Sequence, residues 1–115
     1  MNDATYLPMP DTDALELAKV LEALADPIRL QIVAALARGE RPCGSFPLPV
    51  SDSTRSYHLR ILRDAGVTRT RVSGTQRLVS LRHDDLERRF PGLLRAVLAG
   101  YAATGRRRPA TTRRA

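Results

Sequence analysis

The sequence predicts a mainly α domain that carries one β-hairpin. Three observations predict it. Capped stretches with apolar residues at helical spacing recur along most of the chain. One of them, Ser51–Ala65, puts apolar residues on one side and hydrogen-bonding residues on another. Two alternating runs then flank a glycine-led turn, Gly74-Thr75-Gln76. The 115 residues suit one small domain with a modest core, a size at which a dimer interface often adds to the burial.

Residues 1–10 (MNDATYLPMP) have two prolines and no periodicity, and are expected to form a flexible N-terminal arm. Asp11 or Thr12 then caps a helix to about Ala25. Leu15, Ala18, Leu21 and Ala25, flanked by Val20 and Leu24, form its broad apolar face. Asp26-Pro27 starts the next helix, with Asp at the N-cap and Pro at the first turn, where its missing amide does no harm. That helix runs to about Arg38, turns Ile28, Ile32, Val33 and Leu36 to the core, and ends at Gly39. In residues 40–50 (ERPCGSFPLPV) three prolines and a glycine leave room for about one helical turn, around Cys43 to Phe46. Phe46, Leu48 and Val50 can still reach the core.

Ser51 is a good N-cap for the helix that follows, and Asp52 places a negative charge at its positive end. Leu59 and Leu62 share the inner face, and Gly66 closes the helix. Ser53, Ser56, Tyr57 and Arg60 are spaced i, i+3, i+4 and i+7 on the other face. Hydroxyls, a phenol and a guanidinium suit base edges and phosphates met from a major groove. Arg55 stands where the spacing calls for an apolar residue, so its stem is expected at the core edge and its head at solvent or phosphate.

Val67–Ser73 and Arg77–Arg82 read as the two hairpin strands. A hairpin directly after such a helix is a candidate wing, with Arg69, Arg71, Gln76 and Arg77 as further nucleic-acid contacts. Asp84 starts a short helix to about Arg89, and Pro91 opens another to about Ala103. The last helix carries Leu94, Val97, Leu98 and Tyr101, and the first carries Leu15, Leu21 and Leu24. Both have more apolar surface than a small domain covers, so these residues are expected to pair two copies. Residues 105–115 (GRRRPATTRRA) lack apolar content and are expected to be a disordered basic tail, leaving 11–104 as the folded domain.

The net charge of +7 is unevenly placed. Residues 1–26 set Lys19 against six acids, whereas 27–83 set ten arginines against Glu40, Asp52 and Asp64. The basic segment is thus centred on the polar-faced helix and the hairpin, as a phosphate-binding surface requires. The lone cysteine, Cys43, excludes an internal disulfide and a multi-thiolate metal site within one subunit. No apolar run approaches a membrane span and no secretory leader is visible, so a cytoplasmic location without membrane contact is expected. No nucleophile–base pair, phosphate loop or ligand cluster points to an enzyme.

Leu24-Ala25-Asp26-Pro27-Ile28-Arg29-Leu30, Ser51-Asp52-Ser53-Thr54, Ser56, His58-Leu59 and Leu62-Arg63-Asp64-Ala65-Gly66-Val67, followed by a hairpin, together resemble the ArsR/SmtB family of winged helix-turn-helix repressors. The resemblance covers about residues 15–98. It implies a homodimer paired through the N- and C-terminal helices, double-stranded DNA as partner, and repression relieved by a ligand, often a metal. Each piece is weak alone; the combination is specific.

The chain departs from that pattern at the effector. The family's thiolate pair near the start of the third helix is reduced to Cys43 alone. The other family site uses Asp and His on the last helix, and Leu93–Ala103 contains neither. His83-Asp84-Asp85 is the remaining candidate for a divalent transition metal, against the plainer reading of an acid-rich helix start. His58 is expected to pack or hydrogen-bond within the domain. Cys43 is expected to be a small core residue. The shortened third helix and acidic first helix keep open a second class, an interaction module that needs a protein co-regulator.

Overall fold

The structure, a computed structural model, describes residues 5–111, with side chains through residue 104. Five helices and four short strands follow one another as β1 (Thr5–Tyr6), α1 (Leu17–Leu24), α2 (Pro27–Leu36), β2 (Arg41–Pro42), α3 (Asp52–Ala65), β3 (Thr68–Ser73), β4 (Gln76–Leu81), α4 (His83–Arg89) and α5 (Leu93–Thr111). The antiparallel sheet has the order β1-β3-β4-β2. α1 and α2 pack on α3, the sheet lies against α2 and α3, and α5 returns to α2. The architecture is a winged helix-turn-helix, mainly α with a β-hairpin wing.

The local signals hold at the central helices. The Asp26 carboxylate accepts from the amides of Ile28 and Arg29 at 2.8 and 3.1 Å, with Pro27 in the first turn. Burial alone raises that carboxyl, but the two amide donors and the Arg29 charge outweigh it and hold its pKa below the usual value. Val20, Leu24, Ile32, Val33, Leu36, Phe46, Leu62, Val67, Val79 and Leu86 form one core. In the hairpin Thr70 pairs with Val79 and Thr68 with Leu81, so Thr68, Thr70 and Val79 face that core.

Several boundaries differ from the expectation. The first helix does not begin at Asp11 or Thr12: a 3-10 turn at Thr12–Ala14 ends in extended backbone at Leu15 and Glu16. The break drives Leu15 into the core beneath Gly66, while Arg89 Nη2 donates to its carbonyl at 2.6 Å. Gly66 has φ +90°, and a β-carbon there would overlap Leu15, so backbone conformation and packing both demand glycine. The first ten residues are not a loose arm from Thr5 onward. Thr5 and Tyr6 pair with Val72 and Arg71, Leu7 N donates to Thr70 O at 2.9 Å, and Arg82 Nη1 donates to Pro10 O at 2.6 Å. The expectation for residues 1–4 lies outside the described residues.

The hairpin loop is Gly74-Thr75 alone, with φ +63° at Gly74; Gln76 already pairs with Ser73. Arg41–Pro42, inside the proline-rich segment, adds an unexpected edge strand to β4. α5 continues through Thr111, into the segment expected to be disordered; residues 112–115 lie outside the described residues. Among the described residues no helix is long and apolar enough to cross a membrane.

Candidate nucleic-acid interface

α3 is held at both ends and from behind. Thr54 N donates to Ser51 Oγ at 3.2 Å, and Gly66 and Val67 amides close the other end on Arg63 and Leu62 carbonyls at 3.0 and 2.9 Å. Leu59, Leu62 and Ala65 are buried on the inner face. Buried His58 accepts at Nδ1 from Arg29 Nη1 at 3.0 Å, while Arg29 Nε donates to Ala23 O at 2.6 Å. One guanidinium thereby ties the end of α1 and the start of α2 to the middle of α3. The helix is fixed against its own core, so its outer face is presented rigidly.

That outer face carries Ser53, Ser56, Tyr57 and Arg60, all exposed, with Tyr57 at 53%. Its phenol ring at the surface packs edge-on against His58, with ring centroids 5.3 Å apart. Between α3 and the hairpin lies a groove of about 350 Å³, with Arg60, Arg63 and Arg77 at its sides and Leu59 and Val79 in its lining. A capped helix with a donor-rich face beside a basic hairpin suits entry into a major groove.

The family model described as bacterial regulatory protein, arsR family, matches residues 26–69. An HTH-type transcriptional regulator of Bacillus subtilis, YceK, is 33% identical over 97 residues, which are 81% of this chain and 97% of that protein. The chain belongs to the ArsR family. It is a DNA-binding transcriptional regulator of that type. The biofilm growth-associated repressor of Agrobacterium fabrum is 34% identical, covering 84% of this chain and 81% of its own length. The homodimeric winged helix-turn-helix domain of a possible ArsR-family regulator from Mycobacterium bovis superposes with a TM-score of 0.61. It is 29% identical and covers 79% of this chain and 82% of its own.

In this ArsR-family chain the other predicted contacts are distributed differently. Arg55 turns back to Asp52 at 3.1 Å, one turn earlier on α3. Arg71 donates from Nε and Nη2 to the two carboxylate oxygens of Glu40 at 2.9 and 3.0 Å. Arg69 lies 3.8 Å from Asp85. Gln76 and Arg77 stay exposed beside the hairpin turn.

His83, Asp84 and Asp85, the candidate metal residues, are engaged separately. Asp85 accepts from Thr12 Oγ1 at 2.8 Å and from buried Arg82 Nε at 2.9 Å, whereas His83 Nδ1 and Asp84 Oδ1 lie 3.7 Å apart at the surface. Burial raises the Asp85 carboxyl, but the Thr12 and Arg82 hydrogen bonds and the Arg82 and Arg69 charges bring its pKa below the usual value. Its two oxygens are taken up by Thr12 and Arg82. Among the described residues no three His, Cys, Asp or Glu side chains gather to hold a metal ion. Half-buried Cys43 packs against the core and also lines the α3–hairpin groove.

The residues expected to pair two copies divide as well. Leu15, Leu24 and Leu94 are only 1%, 5% and 4% exposed, so the chain's own core already covers them and they do not need a partner. The inward face of α1 is Val20, Ala23 and Leu24, which leaves Leu17 and Leu21 outside at 46% and 44%. Leu21 joins Val97 and Tyr101 along an apolar groove between α1 and α5, while half-buried Leu98 packs on the core. Sequence reasoning missed Arg63 as a groove residue and Arg29 as the brace. Arg63 follows Ser56 and Arg60 at i+7 and i+3, a spacing that placed it on their side. Arg29 carried no such signal, because its partners lie on α1 and α3.

Proposed function

We propose that the chain acts as a homodimeric repressor of its own or a neighbouring operon, reading an inverted repeat with two copies of α3. The observation that carries this reading is the uncovered donor face of α3, Ser53, Ser56, Tyr57 and Arg60, on a helix braced by Arg29 and His58. The apolar α1–α5 groove, about 370 Å³ and lined by exposed Leu21, supports a twofold partner there. The repressor named for the Agrobacterium relative supports repression, and the homodimer named for the Mycobacterium structure supports the pairing. Such a regulator works in the cytoplasm, with the chromosome. Twofold symmetry places the half-sites about one DNA turn apart, ~34–36 Å.

A gel-shift with the pure protein and DNA from upstream of its own gene tests the reading. Sequence-selective binding is expected without added metal or protein, and Tyr57→Ala should weaken it more on that DNA than on mixed-sequence DNA. Retardation only in the presence of a second protein would make the chain an interaction module instead.

A further inference from the structure

The proline-rich segment 40–50 makes one 3-10 turn, Cys43–Ser45, and turns extended at Phe46. Phe46 is buried, and Leu48 is half-buried against the core. Facing the segment, α2 presents Gln31, Ala34 and Ala35, and Arg38 follows in the turn that ends the helix. The two alanine side chains stop at the β-carbon, and a cleft of about 270 Å³ lies open between helix and segment. Both charges in its lining are positive, Arg38 and Arg41. Neither faces a carboxylate among the described residues. Glu40 stands between them in the chain, but Arg71 on β3 holds it and it is not in the lining. Arg41 is also fixed in place. Its Nε and Nη2 donate to Ser45 Oγ and O at 3.2 and 3.0 Å, and its guanidinium lies over the Phe46 ring, 5.3 Å from the centroid. Nη1 keeps its donors free among the described residues.

We propose that this cleft binds a small organic carboxylate with a compact apolar body, and that its occupant is an effector of DNA binding. Arg38 and Arg41 take the carboxylate, because a planar guanidinium matches its two oxygens. Ala34, Ala35 and half-buried Leu48 take the apolar body. The volume lies just under the ~300 Å³ at which sites for drug-sized ligands begin, which suits a molecule the size of an aromatic acid. The α1–α5 groove has no charged residue in its lining and so cannot select an acid. The effector role rests on the DNA-binding reading. From Pro49 the chain passes through Val50 straight to Ser51, the cap of α3, so an occupant that braces 40–50 against α2 acts on the placement of α3. Ligand and DNA then alter each other's affinity by the same factor.

The test is an NMR titration of the full chain with naphthoate, with neutral naphthamide as the control. Naphthoate should shift the amides of Ala34, Ala35, Arg38 and Leu48 and the Arg41 Nε signal saturably. Naphthamide should bind there about tenfold or more weakly, the loss expected for a hydrogen bond to a charged group. Arg38→Gln should weaken naphthoate by a similar factor, and Ala34→Leu should fill the cleft and abolish the shifts. Arg38 is exposed, so its variant reads the cleft even if Ala34→Leu fails to fold. Equal affinity for acid and amide, or shifts confined to the α1–α5 groove, overturns the site. Displacement of naphthoate by millimolar inorganic phosphate at constant ionic strength also overturns it, in favour of a simple anion site. In a gel-shift, saturating naphthoate should change the affinity of wild type for the upstream DNA and leave that of Ala34→Leu unchanged. An unchanged wild type overturns the effector role. Wild-type protein that retards no DNA overturns the DNA-binding reading itself, while the titration still decides the cleft.

Discussion

Arg29 Nη1 donates to His58 Nδ1 at 3.0 Å, across 29 residues of chain. Arginine has no acceptor, so this bond requires a lone pair on Nδ1 and puts the histidine proton on Nε2. Nitrogen chemical shifts should show a pyridine-type Nδ1 and a pyrrole-type Nε2 at His58. The same guanidinium holds the Ala23 carbonyl, so Arg29→Met should cost about 1.5–3 kcal/mol, the range for hydrogen bonds to a charged group. A double-mutant cycle with His58→Leu should show coupling between the two residues; simple additivity would mean the brace carries no energy of its own.

Acid should weaken the fold through Asp26 and Asp85. Both carboxyls sit below their usual pKa in the folded chain. A depressed folded pKa adds stability that is complete above the unfolded value, about 4, and is lost as pH falls through the folded value. Melting temperature should therefore drop as pH is lowered through and below about 4. The Asp26→Asn, Asp85→Asn pair should melt at a lower temperature at neutral pH and lose less on acidification. An equal acid loss in wild type and double variant would assign the effect to other carboxylates.

Thr68 is fully buried, and its hydroxyl has no partner among the described residues. Valine has nearly the same shape and the same preference for strands. Thr68→Val should be neutral or stabilising by about 1 kcal/mol, because it removes an unpaired polar atom without opening a cavity. Denaturant unfolding measures this directly, and a clear loss of stability would show that the hydroxyl is paired.

Arg82 fastens the N-terminal segment to the sheet through Pro10 O and Asp85, at 2.6 and 2.9 Å. Arg82→Met keeps the stem and removes both contacts. The expected loss is about 1.5–3 kcal/mol, with faster chymotrypsin cleavage after Tyr6 or Leu7. Unchanged cleavage would mean that the β1–β3 pairing alone secures the segment.

Leu21 is the cleanest probe of the proposed pairing, because a charge at this exposed position leaves the core intact. Leu21→Glu should sediment near the 12.7 kDa chain mass, where wild type should show about twice that. Its DNA affinity should fall by a factor of about 10² or more, as linked half-site binding becomes single. A variant that stays dimeric would place the interface elsewhere.

While the winged helix-turn-helix class came from the family resemblance, the sequence alone determined the helices, the caps at Asp26 and Ser51, the closing turn at Gly66, and the outward face Ser53, Ser56, Tyr57 and Arg60. These follow from amide donors, carbonyls and side-chain spacing that act within a helical turn or two. Only the tertiary structure decided which arginines are open. Glu40 meets Arg71 across 31 residues, Thr12 meets Asp85 across 73, and Pro10 meets Arg82 across 72. Nothing local marks Arg71 as engaged and Arg63 as free, or Leu15 as core and Leu21 as surface. A charge or an apolar face declares its type in the sequence, but its partner is set by which distant segment the fold brings beside it.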